Sequence, residues 1–181
     1  MLIVSDTGFL LSIASTKLLL PIIRERWQGH AAWPTDVLSE LQHIDRQSRS
    51  DVPAGLAQAA IRCGQALGGA PVSLDDQQRD RAEAIAALLG GTVPGQHIGE
   101  SAGAILAIDG DGLLVSDDVA AFPVLQRAGA RVADLRTVMF RLATDGDLTN
   151  EQVNQIIEDL NSRQRPHFEG LTAADIRNRR F

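Results

Sequence analysis

Tyrosine is absent from the chain, cysteine and lysine occur once each, and aromatic residues make up only 4% of the 181 positions. Each scarcity closes off a class of protein. With two tryptophans (Trp27 and Trp33) and five phenylalanines, a reader of unpaired bases that works by aromatic stacking is disfavoured. The lone Cys63 cannot form an internal disulfide, and no Cys/His cluster has the spacing of a zinc site, so a reducing, cytoplasmic home is expected. The apolar start is too short for a signal peptide and lacks a basic leader. Lys17 and Pro21 then interrupt the next apolar stretch well short of a membrane span, so no membrane association is expected. Neither GxGxxG nor GxxxxGKS occurs, which removes the common phosphate loops. A formal net charge of −6 argues against a polyanion binder held by bulk electrostatics. It leaves room for a nucleic-acid enzyme, because carboxylates that hold divalent cations make the metal-free chain look more acidic than the working protein.

What is present points to one α/β domain. Hydrophobic residues make up 44% of the chain, ample for a core, and strand and helix patterns alternate. The run Leu2-Ile3-Val4-Ser5 reads as a buried strand that ends in Asp6, and the helical spacing of Phe9, Leu10, Leu11 and Ile13 begins at once. That puts Asp6 at the carboxyl edge of a strand, where open α/β sheets bind ligands. Further strands are expected at His30–Trp33, Pro71–Leu74, Leu113–Ser116 and Arg131–Ala133. Helices are expected after Pro34, over Ala54–Leu67 and Gln77–Leu89, from Ala102 to Ile108, after Asp118 and over Leu135–Ala143, with loops at Asp45–Val52 and Thr92–His97. Thr149-Asn150-Glu151 resembles a helix cap ahead of Val153, Ile156, Ile157 and Leu160. The chain therefore divides into a body over 1–147, with a longer helical region around 46–96, and a C-terminal helix with a basic tail over 148–181.

Four acids fall at comparable places. Asp6 follows the first strand, Glu40 lies in the helix after the second, Glu100 starts a helix, and Asp118 follows a later strand. In a parallel sheet they can converge on one edge. Two unit charges about 5 Å apart repel by roughly 3 kcal/mol at an effective dielectric of 20, so such a cluster needs a cation. Oxygen-rich sites of this kind suit Mg²⁺ or Mn²⁺, and the chemistry they support best is phosphodiester hydrolysis.

The order of these acids resembles the PIN domain (PilT N-terminus) family, and within it the toxin ribonucleases of virulence-associated toxin–antitoxin pairs. Val4-Ser5-Asp6-Thr7-Gly8-Phe9-Leu10 is similar to the family's opening motif, and Pro34–Leu41, with Val37, Glu40 and Leu41, to its second. Gly99-Glu100 with Ala104-Ile105-Leu106-Ala107 is similar to a Gly-Glu variant of the third, and Leu114-Val115-Ser116-Asp117-Asp118 to the fourth. The resemblance implies a three-layer α/β/α sandwich with a central parallel sheet of about five strands and a C-terminal helical extension. It implies Mg²⁺- or Mn²⁺-dependent RNA cleavage with Asp6, Glu40, Glu100 and Asp118 as catalytic residues, the metal held mainly by Asp6, Glu100 and Asp118. Thr7, Ser116 and Asp117 would support them. It also implies an antitoxin protein as partner; a homodimer is expected separately, through exposed apolar helix faces. The chain departs from the pattern at two places. Many members carry another acid where this chain has Ala102 or Gly103, and another beside the aromatic Phe122, where it has Ala121. The number of metals stays open.

Each acid also has a plainer reading. Asp6 can be a helix N-cap, Glu40 a solvated helix residue, Glu100 a first-turn acid favoured by the helix dipole, and Asp117-Asp118 turn and cap residues. The rival for the whole chain is a PIN-like scaffold that has lost efficient catalysis and binds protein. A receiver or phosphatase domain fits less well, because an Asp-x-Asp opening is missing and no lysine ends a late strand.

Overall fold

The fold is taken from a computed structural model that describes residues 1–47, 52–90, 97–163 and 168–181. Four short parallel strands form the sheet: β1 (Ile3–Ser5), β2 (Ala31–Ala32), β3 (Leu113–Val115) and β4 (Val132–Ala133). Their order is β2-β1-β3-β4. The chain leaves β1 toward one side and reaches β3 on the other, so the strand order reverses between β1 and β3. A crevice opens at such a reversal, outside the carboxyl ends of the strands.

Alternation along the strands loads both faces. Ile3 and Val115 point into one core with α1 (Thr7–Ala14), α2 (Leu19–Arg26), α3 (Thr35–Gln47), α4 (Leu56–Gly68) and α8 (Leu135–Asp145). Val4 and Leu114 point the other way, against α5 (Asp76–Leu88), α6 (Ile98–Asp109) and α7 (Phe122–Arg127). The result is a three-layer α/β/α fold.

The sheet has four strands among the described residues, not the five expected. Pro71–Leu74 is reduced to a single parallel bridge, Val72 to Pro34. The cause lies at the partner. Val72 bonds around the proline, donating to Trp33 O at 2.8 Å and accepting from Thr35 N at 2.9 Å. Pro34 has no N–H to extend a ladder, and α3 starts at the next residue. Helix α3 also runs to Gln47, three residues into the expected loop, and Asp45 there accepts from Gln58 of α4 at 2.8 Å. The Thr92–His97 turn lies outside the described residues except for His97, as do positions 48–51 of the Asp45–Val52 loop.

Beyond the body, α9 (Asn150–Ser162) and α10 (Ala173–Arg177) send Val153, Ile156, Leu160 and Ile176 into the first core. The tail is basic, and two of its arginines help hold it down. Arg177 donates to Ala143 O at 2.6 Å and Leu148 O at 2.9 Å and also bonds Asn150, while Arg179 stacks over Phe140. Among the described residues no helix is long and apolar enough to cross a membrane.

Candidate metal centre

Asp6 leaves β1 in extended backbone and caps α1, its carboxylate accepting Phe9 N–H at 2.7 Å. The plain cap reading is thus realised, but it does not account for the residue. Asp6 is only 3% exposed. Burial lifts its carboxyl well above the ordinary carboxylate range, with the charge of Asp117 next in weight and that of Glu100 also adding. Asp134 is the natural control, because it follows β4 in the same way and caps α8. Burial pushes Asp134 up too, but the Thr137 hydroxyl and N–H, together with Arg136 at 2.6 Å, hold it below the ordinary value. A buried cap with its charge answered is structural. Asp6 occupies the same kind of place with a second acid beside it and, among the described residues, no basic group in the bonds it makes, which marks it as a candidate functional group.

Glu40 sits on the second turn of α3, beside the buried anchors Val37 and Leu41. Its carboxylate accepts from the Thr7 hydroxyl and from Gly99 N–H at 3.0 Å. Burial still raises its carboxyl, against the pull of those two donors. The glycine is required by close approach. A Cβ on residue 99 would stand 2.6 Å from Glu40 Oε1, so the Gly-Glu pair lets the start of α6 close over the α3 carboxylate. Gly8 plays a milder version of this part, since a Cβ there would come to 3.3 Å from Asp117 Cβ.

Glu100 lies in the first turn of α6. Its carboxyl is pushed up to about 8, by burial first, then by the charges of Asp118 and Glu40, and by a hydrogen bond in which Asp118 favours its protonated form. Asp118 follows β3, where it accepts Ala120 N–H at 3.1 Å and opens a 3-10 turn over Val119–Ala121. Ser116 links the two ends of the cluster: its Oγ accepts Asp118 N–H at 3.1 Å, and its side chain also hydrogen-bonds Asp6.

Asp6, Glu40, Glu100 and Asp118 therefore meet at one edge of the sheet, with Thr7 and Ser116 bonded to them. The two adjacent acids divide. Asp117 faces Asp6 and accepts from the Ser12 hydroxyl, whereas Asp118 faces Glu100. Glu100 is the member whose charge is felt by, or feels, the other three. The sequence reading did not include His97. Its Nδ1 lies 3.1 Å from Glu100 Oε2, and among the described residues His97, Glu100 and Asp118 offer ligand atoms all within 4.8 Å of one another. The available signal was its place three residues before Glu100, which puts both on one side of a helix start. The positions after Glu100 where the resemblance leads one to look for a further acid are closed in: Ala102 is fully buried, and a Cβ on Gly103 would stand 2.8 Å from the Leu114 side chain.

The donor set fits a divalent cation. His97, Glu100 and Asp118 offer donor atoms close enough to share one ion, while Asp6 and Glu40 stand outside that close group and are coupled to it through their charge interaction with Glu100. Asp6, Glu40 and Glu100 are raised, by burial first, and among the described residues no lysine or arginine appears in the bonds these acids make. A cleft of about 570 Å³ elsewhere is lined by the residues that open the strands, Ile3, Leu113 and Val132, and so lies at the other end of the sheet. Fold and site together define an α/β/α protein with a carboxylate cluster at its topological switch point. Comparison with protein-family models and with curated proteins finds no match to this chain.

Proposed function

We propose that the protein is a divalent-metal-dependent endoribonuclease of PIN type, acting as the toxin of a toxin–antitoxin pair. The observation that carries this reading is the close group of His97, Glu100 and Asp118 at the β1/β3 switch point, with Asp6 and Glu40 coupled to Glu100 by charge, Glu100 raised to about 8 and Asp6 raised beside Asp117. Asp6, Glu40 and Glu100, drawn from three separate stretches, are buried against their own charge and cost stability where they stand. A bound cation removes that cost.

Asp6, Glu100 and Asp118 would hold Mg²⁺ or Mn²⁺, with Glu40 completing the set. The ion supplies charge neutralisation at the phosphate and a more acidic water. The chain's own groups do the rest. Thr7 and Gly99 N–H fix the Glu40 carboxylate, and Ser116 with Phe9 N–H fixes Asp6. Glu100, protonated near neutral pH without a cation, has a proton to give up on loading. The N-termini of α1 and α6 open beside these acids, and their dipoles favour an approaching phosphodiester. In this reading the protein works in the cytoplasm as a homodimer, and an antitoxin segment covers the acidic edge.

Mn²⁺ titration of wild-type and Asp6→Asn protein on mixed single-stranded RNA tests the proposal. Asparagine also caps helices, so the fold is kept. Metal-dependent cleavage that vanishes in the variant is expected. Cleavage that is absent in both proteins, or independent of metal, overturns the nuclease reading in favour of a protein-binding scaffold.

A further inference from the structure

Among the described residues His97 is the histidine grouped with the acids at this edge, and the fold presents it there. It stands at the N-cap position of α6, yet its side chain makes no capping bond to the helix. The ring turns instead to Glu100, Nδ1 to Oε2 at 3.1 Å, and both side chains are largely shielded, 25% and 20% exposed. Two ligands at right angles on an ion with bonds of about 2.1 Å stand about 3 Å apart, so this spacing is already that of neighbouring ligands. Asp118 offers the third atom within 4.8 Å.

We infer that His97 is a ligand of the bound cation and makes the centre select Mn²⁺ and Co²⁺ over Mg²⁺. The inference rests on the metal-centre reading above and deepens it. The physical reason is ligand softness. Carboxylates alone accept Mg²⁺ well, but an imidazole nitrogen gains most from a transition ion, and affinity then rises from Mn²⁺ toward Co²⁺ and Ni²⁺. Mg²⁺ holds its waters and gains little from nitrogen.

Two measurements test it, neither of which uses RNA. Pulsed EPR of the Mn²⁺-loaded wild-type chain should show ¹⁴N coupling from a directly bound imidazole, and His97→Asn should abolish it. Asparagine is chosen because His97 has a left-handed backbone, φ 59, which asparagine tolerates. Calorimetric titration should show Co²⁺ and Mn²⁺ binding weakened about tenfold or more in the variant, with Mg²⁺ binding changed by no more than about twofold. Wild-type protein that binds Mn²⁺ without ¹⁴N coupling overturns the His97 assignment and leaves the carboxylate centre standing. An equal loss for all three ions overturns the selectivity claim. Failure of the wild type to bind any of the three ions sinks the metal centre itself.

Discussion

Replacing Glu100 by glutamine keeps the shape and hydrogen-bonding reach of the side chain but removes its charge, so it isolates the electrostatic cost of the site. Glu100 has its carboxyl at about 8 in the folded, metal-free chain against an ordinary 4.5. Between those values the folded chain holds a proton that the unfolded chain has released. Stability is therefore whole below pH 4.5 and falls as pH rises, with the loss complete only above about 8. At about 1.4 kcal/mol per pH unit, the interval from pH 6 to 8 costs at most about 2 kcal/mol at this residue, less the screening from its exposed fifth. For a chain of this size that is a fall in melting temperature of about 4–8 °C. Asp6 and Glu40 are shifted in the same direction and steepen the slope, whereas Asp109 and Asp134 are lowered and act only in acid. Thermal melts of metal-free protein at pH 6, 7 and 8 should thus descend for the wild type. The Glu100→Gln variant should descend less and melt higher than wild type at pH 8. With Mn²⁺ added the ranking should reverse, because the wild type gains a bound ion that the variant holds poorly. A flat or rising wild-type profile, or a variant that melts no higher at pH 8, refutes the claim that Glu100 is buried against its own charge.

Gly99→Ala would put a methyl group 2.6 Å from Glu40 Oε1. The carboxylate must retreat by about 1 Å to reach ordinary contact, so RNA cleavage should fall about a hundredfold. The helix-propensity gain of up to about 1 kcal/mol should offset most of the lost hydrogen bond, keeping stability within about 2 kcal/mol by urea denaturation; unchanged cleavage would remove Glu40 from the site. Arg177→Ala removes charge-assisted bonds to Ala143 O and Leu148 O and should cost about 2–4 kcal/mol in urea unfolding. Mn²⁺ affinity should stay within about twofold, and a larger drop would tie the tail to the metal centre.

Legibility in the sequence followed locality. Asp6 could be read because one unbroken segment holds the buried strand, the acid and the helix it starts, and Leu114–Asp118 could be read for the same reason. The fifth strand failed because its fate was decided at Pro34, nearly forty positions away, where a missing N–H ended the ladder. The division between Asp117 and Asp118 was hidden as well. Which of two adjacent acids faces Asp6 depends on the backbone at the end of β3 and on the room left by Gly8. His97 was invisible for a different reason: a histidine in a Gly/Pro-rich segment gains meaning only from a left-handed backbone that turns its ring onto the next helix. The tail arginines looked like solvated charge because Arg177's main partners are backbone carbonyls, and carbonyls leave no trace in a sequence.

The acids at the switch point differ in how well the protein answers them, and the difference suggests a division of labour. Asp6 receives Phe9 N–H and Ser116, Glu40 receives Thr7 and Gly99 N–H, and Asp117 receives Ser12. Each of these carboxylates has fixed donors that hold its orientation before any ion arrives, as preorganised sites require. Among the described residues Glu100 has no such backbone or hydroxyl donor in the bonds it makes. Its neighbours are the His97 ring and Asp118, and Asp118 favours its protonated form. A charge left without fixed donors at the centre of an otherwise supported ring is where a cation gains most, because the ion replaces a proton instead of competing with hydrogen bonds. Under the proposed metal centre, the supported acids would fix where the ion sits, and Glu100 would set how strongly its arrival is coupled to pH.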